Sequence, residues 1–253
     1  MDTKETLQLE YGFQLECRFC KKFVVNQPLN PMRTAAQMKE DGARRRAFEL
    51  LLQALYGESE QLAYRHKTGR ELTDVVWERF GGHCFNCGRG LASKKEMNLD
   101  HTRPLKLLWP LDGAATALCA DCNNDKRDRP PSDFYTQRQI EGLAKITGLS
   151  VEELQNPYTN TEAVELLIDK LDWFFEEFLT TPEMKKEHDG KIAGEILVKA
   201  LQKALDRCPE GAPINLEKEY DKRRRKTGLA GKWSQGGSGT PKTSKTKGEE
   251  ESA

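Results

Sequence analysis

Six of the seven cysteines in this chain fall into three C-x-x-C pairs, Cys17/Cys20, Cys84/Cys87 and Cys119/Cys122, and Cys208 stands alone. The second and third pairs bracket a stretch rich in Gly, Asn and Asp with only short apolar pieces. Such a stretch needs something other than an apolar core to hold it. Two thiolates on a tight turn can grip one metal, and Gly88 lets the turn after Cys87 close. Two such pairs supply the four thiolates of a closed, tetrahedral structural zinc site. In small peptides a structural zinc contributes on the order of 10–16 kcal/mol, enough to staple a loop-rich segment. Four unrelated buried cysteines or a redox dithiol are the alternatives, but paired spacing arising twice favours Zn²⁺ at Cys84, Cys87, Cys119 and Cys122. Cys17 and Cys20 are either half of a second site, completed by Cys208, His66, His83 or His188, or two ordinary cysteines. The opening MDTKETLQLE is acidic and polar, with no secretory signal in view, so reduced thiols and a cytoplasmic protein are expected.

The rest of the chain reads as mostly helical. Apolar residues make up 37% and charged residues 32% of 253 positions, which suits several small cores and a polar tail better than one thick core. Forty basic and forty acidic residues cancel, so net charge names no partner. Runs such as Leu50–Leu52 and Trp173–Phe175 fall far short of the ~20 apolar residues of a membrane span. Asn30-Pro31 signals a helix start. The spacing of Ala47, Phe48, Leu51, Leu52 and Leu55 carries a helix to near Gly57, with Gly42 as a possible break. Helices follow over 58–66 and over 73–80, the latter capped by Thr73, and Gly81-Gly82 deliver the chain to Cys84. After Ser132 the helical pattern returns. Ser150 and Glu153 form a capping box. Val164 to Phe178 repeat at helical spacing, and Thr181-Pro182 starts a helix whose stripe is Ile192, Ile196, Ala200, Leu201 and Leu205. That stripe is either plain core or a dimer face. From about residue 228 the composition cannot support a core. Between Lys222 and Lys247 there are nine basic residues and no acidic one.

Between the paired cysteines lies Leu99-Asp100-His101-Thr102-Arg103-Pro104, and after the second pair Asn123-Asn124-Asp125-Lys126-Arg127. The whole string, C-x-x-C, D-H-x-x-P, D-G and L-C-x-x-C-N-x-x-K, resembles the HNH endonucleases, the ββα-metal nuclease superfamily. The resemblance covers 84 to about 133. Joined to the helical patterns and the polar tail on either side, it gives an α+β, mostly helical protein in four parts. Residues 1–80 are an N-terminal helical region with a C-x-x-C, and 81–133 a zinc-stapled ββα-metal module. Residues 134–227 are a C-terminal helical region for DNA recognition or dimerisation, and 228–253 a disordered basic tail.

The implied chemistry is phosphodiester hydrolysis. It needs an activated water, a cation on the phosphate and relief of charge on the leaving oxygen. An unperturbed imidazole titrates near 6.5, so His101 can take a proton from water. By resemblance Asp100 and Asn123 hold one divalent ion, and oxygen ligands suit Mg²⁺ or Mn²⁺. Lys126, one turn after Asn123, with Arg103, Arg127 and Arg129, is expected at DNA phosphates. The family's middle Asn falls on Ala114, which leaves that residue's carbonyl to orient His101. Taken alone, His101 would be an ordinary surface histidine.

Arg44–Arg46 and the run 222–226 fit phosphate contact or, equally, solvated faces. The helical flanks resemble those of a stand-alone type II restriction enzyme, a homodimer cutting a symmetric double-stranded DNA site. The rival class is a non-catalytic zinc module that binds nucleic acid or protein.

Overall fold

The computed structural model describes residues 35–188 and 190–226. Its longest described element is helix α1, Ala35–Tyr56. Phe48, Leu51, Leu52 and Leu55 repeat along one face and are buried. Each such side chain contributes roughly 1.5–3 kcal/mol on burial. That outweighs the roughly 1 kcal/mol that a mid-helix glycine costs, so α1 runs through Gly42 unbroken. The expected start at Asn30-Pro31, the pair Cys17/Cys20 and the tail from residue 228 lie outside the described residues.

Helices α2, Glu60–Thr68, and α3, Leu72–Arg79, follow. Thr73 lies inside α3, whose cap position is Glu71. Gly81 and Gly82, at φ 58° and 68°, then turn the chain towards Cys84. Strands β1, Asn98–Asp100, and β2, Thr116–Leu118, pair antiparallel with Asp100 opposite Thr116. Helix α4, Ala120–Lys126, leaves directly from the end of β2.

Two capped helices come next, α5, Gln137–Thr147, and α6, Val151–Gln155. The capping box at Ser150 and Glu153 forms as read, and Thr136 with Gln139 makes another on α5. Helices α7, Thr161–Asp169, and α8, Leu171–Glu176, carry the Val164–Phe178 repeat. The helix expected to run from Pro182 is instead a single turn, α9, Pro182–Lys185. A hairpin of β3, Glu187–His188, and β4, Lys191–Ile192, separates it from helix α10, Ala193–Leu205. Gly190, at φ 80°, makes the left-handed turn that interrupts the helix. Helix α11, Leu216–Lys226, is the last described element.

The described residues are thus mostly helical with two small antiparallel sheets, an α+β arrangement. Their apolar side chains form two clusters. The first joins α1, α7, α8, α10 and the start of α11, and includes Leu105 and Leu108 from the β1–β2 connection. The second joins α3, β2, α5 and α6 around Cys84 and Cys119. These clusters do not follow the sequence boundaries at 80 and 133: residues from both flanks wrap the central segment. Leu201 and Leu205 are wholly buried and Ile196 nearly so, which places that part of the α10 stripe in the core, while Ile192 and Ala200 are half-buried. Among the described residues, no helix is long and apolar enough to cross a membrane.

Candidate functional site

The four cysteines 84, 87, 119 and 122 come together, with their sulfurs all within 4.8 Å of one another. Cys87 Sγ and Cys119 Sγ are 3.9 Å apart. A tetrahedron with arms of ~2.3 Å has edges of about 3.8 Å, so the spacing fits a zinc-sized ion. The first pair sits on a tight turn: Gly88, at φ 73°, donates its N–H to Cys84 O at 2.9 Å, and the Cys84 N–H bonds Arg89 O at 2.9 Å. The second pair straddles the start of α4. Asn86 Nδ2 donates to Cys122 Sγ at 3.3 Å, and Gln139 of α5 in turn donates to Asn86 O and Oδ1. Burial and the neighbouring thiols push Cys122 up to about 12, while hydrogen bonds outweigh burial at Cys119 and hold it down at about 7. Such a cluster resists four negative charges until a cation shares them, which is the behaviour of a structural metal site. The four cysteines can hold a metal such as zinc.

Next to this staple lies a cleft of about 330 Å³. Asp100 at the end of β1, His101 just beyond it and Asn123 on α4 all line it. The opposite wall is α1, through Met38, Asp41, Arg44, Arg45 and Phe48. Sequence separation alone would not bring Arg45 to Asn123. The first core does, because Phe48 and Leu51 pin α1 beside the β1–β2 connection.

Asp100 is buried and its carboxylate lies 2.7 Å from Lys126 Nζ. The contact is an ion pair whose angles fall short of hydrogen-bond geometry, which leaves Asp100 Oδ2 unsatisfied. Burial pushes the Asp100 carboxyl up and Lys126 pulls it back. Lys126 also donates to His101 O at 3.2 Å. A lysine 1% exposed cannot reach a phosphate, so its expected role as a DNA contact gives way to one inside the fold. One carboxylate and one amide in a cleft fit Mg²⁺, which keeps waters and borrows substrate oxygens rather than demanding a protein cage.

His101 is held well below the usual imidazole range, at about 3, chiefly by burial and then by Arg45 and Lys126. It is therefore neutral at neutral pH, with a free lone pair. Its Nε2 is buried without a hydrogen-bond partner and lies 3.8 Å from Glu60 Oε2. The carbonyl of Ala114 does not orient the ring. Thr102 Oγ1 donates to it at 2.6 Å, so the 2.5 Å contact between Thr102 and Thr116 runs from the Thr116 hydroxyl. Glu60, in the first turn of α2, is pushed up to about 7 by burial, against the pull of the Leu111 N–H.

Of the other expected phosphate contacts, Arg127 and Arg129 line the cleft. Arg127 is placed there by a left-handed backbone, φ 55°, at the end of α4. Arg129 also bonds Asp125 and lies over the Phe134 ring. Arg103 is turned inward, paired with Asp112 and stacked 3.6 Å over Trp109. Arg44 and Arg45 from the Arg44–Arg46 run take their place on the α1 wall. Cys208 is buried in the first core, and His66 pairs with Glu58 at 2.8 Å. Glu60 had no signal in the sequence, because it reads as an acid favoured at a helix N-terminus.

No protein-family model, curated protein or solved structure matches the chain.

Proposed function

We propose that the protein is a metal-dependent DNA endonuclease of the HNH type, with residues 81–133 as its zinc-stapled ββα-metal module. The observation that carries this reading is the convergence of Asp100, His101 and Asn123 on one cleft beside a four-cysteine cluster and facing cationic side chains. The local order supports it too: two antiparallel strands followed at once by a helix, with the three residues at the strand end and on that helix.

In this reading Asp100 and Asn123 hold Mg²⁺ or Mn²⁺, which supplies charge for the phosphate and the leaving oxygen. His101 removes the proton of the attacking water. Its basicity is suppressed by the cations Arg45 and Lys126 as well as by burial. A phosphate entering beside Arg45 adds the opposite charge and makes the imidazole a stronger base when substrate is present. Lys126 holds Asp100 in place and opposes the upward push of burial on its carboxyl. Arg44, Arg45, Arg127 and Arg129 receive phosphates.

A second groove of about 350 Å³ shares Arg44, Lys106 and Asp128 with the cleft; Lys199, Lys203 and Arg207 line it along α10 and just past it, outnumbering Glu40 and Glu195. It gives a duplex a basic path away from the reacting bond. One module offers one base and one metal position, so concerted cutting of both strands calls for two copies on a symmetric site. This is the restriction-type reading. A non-catalytic module binding nucleic acid or protein is favoured by Ala114 at the family's middle Asn position and by the engagement of Asp100 by Lys126.

Supercoiled plasmid incubated with protein and Mg²⁺ or Mn²⁺ separates these readings. Discrete fragments, abolished by His101→Ala with DNA affinity retained, are expected. Retarded but uncut plasmid in both ions would sink the nuclease reading and leave the binding module.

A further inference from the structure

Beside the unsatisfied Asp100 Oδ2, the buried side chains of His101 and Glu60 each carry a polar atom without a partner, and the two side chains approach each other. His101 Nε2 and Glu60 Oε1 are both enclosed without a hydrogen bond, and the other Glu60 oxygen, Oε2, lies 3.8 Å from Nε2. The side chains are 11% and 16% exposed, so water cannot readily serve them. A buried polar atom left without a partner is destabilising. A hydrogen bond forms at roughly 2.7–3.2 Å, so less than one ångström of adjustment joins the two. Catalytic hydrogen bonds are often long before substrate arrives and tighten afterwards. The alternative support for the ring, the Ala114 carbonyl, accepts from Thr102 and makes no hydrogen bond to the ring.

We propose that Glu60 is the positioning residue for His101: its carboxylate accepts the Nε2 hydrogen, fixes that tautomer and leaves Nδ1 as the nitrogen that takes a proton from water. The inference rests on the nuclease reading above. It explains how a histidine in this chain is oriented from α2, outside the ββα segment. It also explains why an acid in the first turn of a helix is buried rather than solvated. The carboxylate adds a second effect: once His101 gains a proton, the charge that forms is opposite to that of the ionised Glu60.

The test compares the unaltered protein with Glu60→Gln and Glu60→Leu. Gln keeps an acceptor oxygen at the same reach, and Leu keeps the volume without one. Steady-state cleavage of a plasmid with Mg²⁺ yields kcat and KM, and ¹⁵N spectra of histidine-labelled protein report the His101 tautomer without any need for cleavage. Glu60→Leu is expected to lower kcat about 10²-fold, the lower end of what a general base supplies, with KM within threefold. Its melting temperature should not fall, because it removes an unsatisfied carboxyl. Should that variant fail to fold, Glu60→Met serves the same comparison. Glu60→Gln should stay within tenfold of the unaltered kcat. The Nε2–H tautomer should dominate in the unaltered and Gln proteins and be lost in Leu. An unaltered kcat in a folded Leu variant, or a tautomer indifferent to Glu60, overturns the proposal while the nuclease reading stands. A protein that never cleaves but shows the Glu60-dependent tautomer refutes the nuclease reading and keeps the pairing.

Discussion

Replacing Lys126 by Met removes a cation that has no access to water. The side chains of Lys126 and Asp100 are 1% and 5% exposed and 2.7 Å apart. Met fills much the same space, so no large cavity complicates the reading. What remains is a carboxylate enclosed with no counter-charge. Removing one member of a buried ion pair costs about 3–5 kcal/mol. For a protein of this size each kcal/mol moves the melting temperature by roughly 2–4 °C, so a fall of about 6–20 °C is expected at pH 7. The deficit has a pH signature. Without Lys126 the folded-state carboxyl rises further above its unfolded value, so the penalty is full above the folded pKa and shrinks as pH falls and Asp100 takes up a proton. A second change, Asp100→Asn in the Lys126→Met background, should restore most of the loss, since replacing both partners of a buried pair is often near neutral. The assay is thermal and urea denaturation of the four proteins of this cycle at pH 5 and pH 7.5, with zinc content measured alongside. A single variant that loses under 1 kcal/mol, combined with weaker DNA binding, would refute the reasoning and restore Lys126 to the phosphate contact its sequence position suggests.

Elemental analysis of the purified protein should find at least one zinc per chain, and Cys119→Ala should lose both the metal and cooperative unfolding of the second core. Folded protein with less than half an equivalent would exclude that site. Glu60 makes stability depend on pH in the sense opposite to an ordinary paired acid. Its folded pKa of about 7 lies above the ordinary 4.5, so its contribution is whole below 4.5 and lost as pH rises through 7. The gap corresponds to about 3 kcal/mol. Glu60→Gln should therefore gain on the unaltered protein by up to that amount between pH 4.5 and 8 in urea titrations; a constant difference would contradict the burial of the carboxyl. If the proposed duplex path is right, Lys199→Ala with Lys203→Ala should lower the slope of log affinity against log salt by about 0.9 for each phosphate that these lysines neutralise, as read by anisotropy in the His101→Ala background without added divalent ions. An unchanged slope would remove the α10 groove from the path of the duplex.

The legible part of the site was the part written locally. C-x-x-C spacing specifies its own turn, and Gly88 adopts the left-handed backbone that the turn needs. The capping box at Ser150 is likewise complete within four residues. Asp100, His101 and Asn123 were readable as a set only because a known pattern names them. The side-chain direction of Lys126 was not readable, because it depends on a strand paired from elsewhere in the chain that leaves Asp100 beneath α4. Glu60 was invisible for the same reason at longer range: nothing near it in sequence marks a neighbour of His101. The hairpin at 187–192 was missed because the apolar period beginning at Ile192 is truly helical, and it masked the turn signal of Gly190 just before it. The α10 stripe left core and partner face open, since both bury the same apolar residues. Packing against α1 places Leu201 and Leu205 in the core.

The connection between β1 and β2 belongs to two structures at once. It starts beside His101, yet Leu105 and Leu108 are members of the helical core rather than of the cluster around Cys84 and Cys119. Asn160 clamps it from the far side, giving its N–H to Leu107 O at 2.9 Å and its amide to Leu108 O at 3.1 Å. Leu108 is held at φ 64°, a backbone that a bulky residue adopts only under constraint. Residues 81–133 are consequently not a portable cassette. Spliced into another scaffold they would carry their four thiols with them, but they would also present Leu105 and Leu108 to solvent and release the segment that seats His101. Grafting this chemistry elsewhere would mean transplanting α1 and α7 as well, so the boundary of the working unit is set by its leucines rather than by its cysteines.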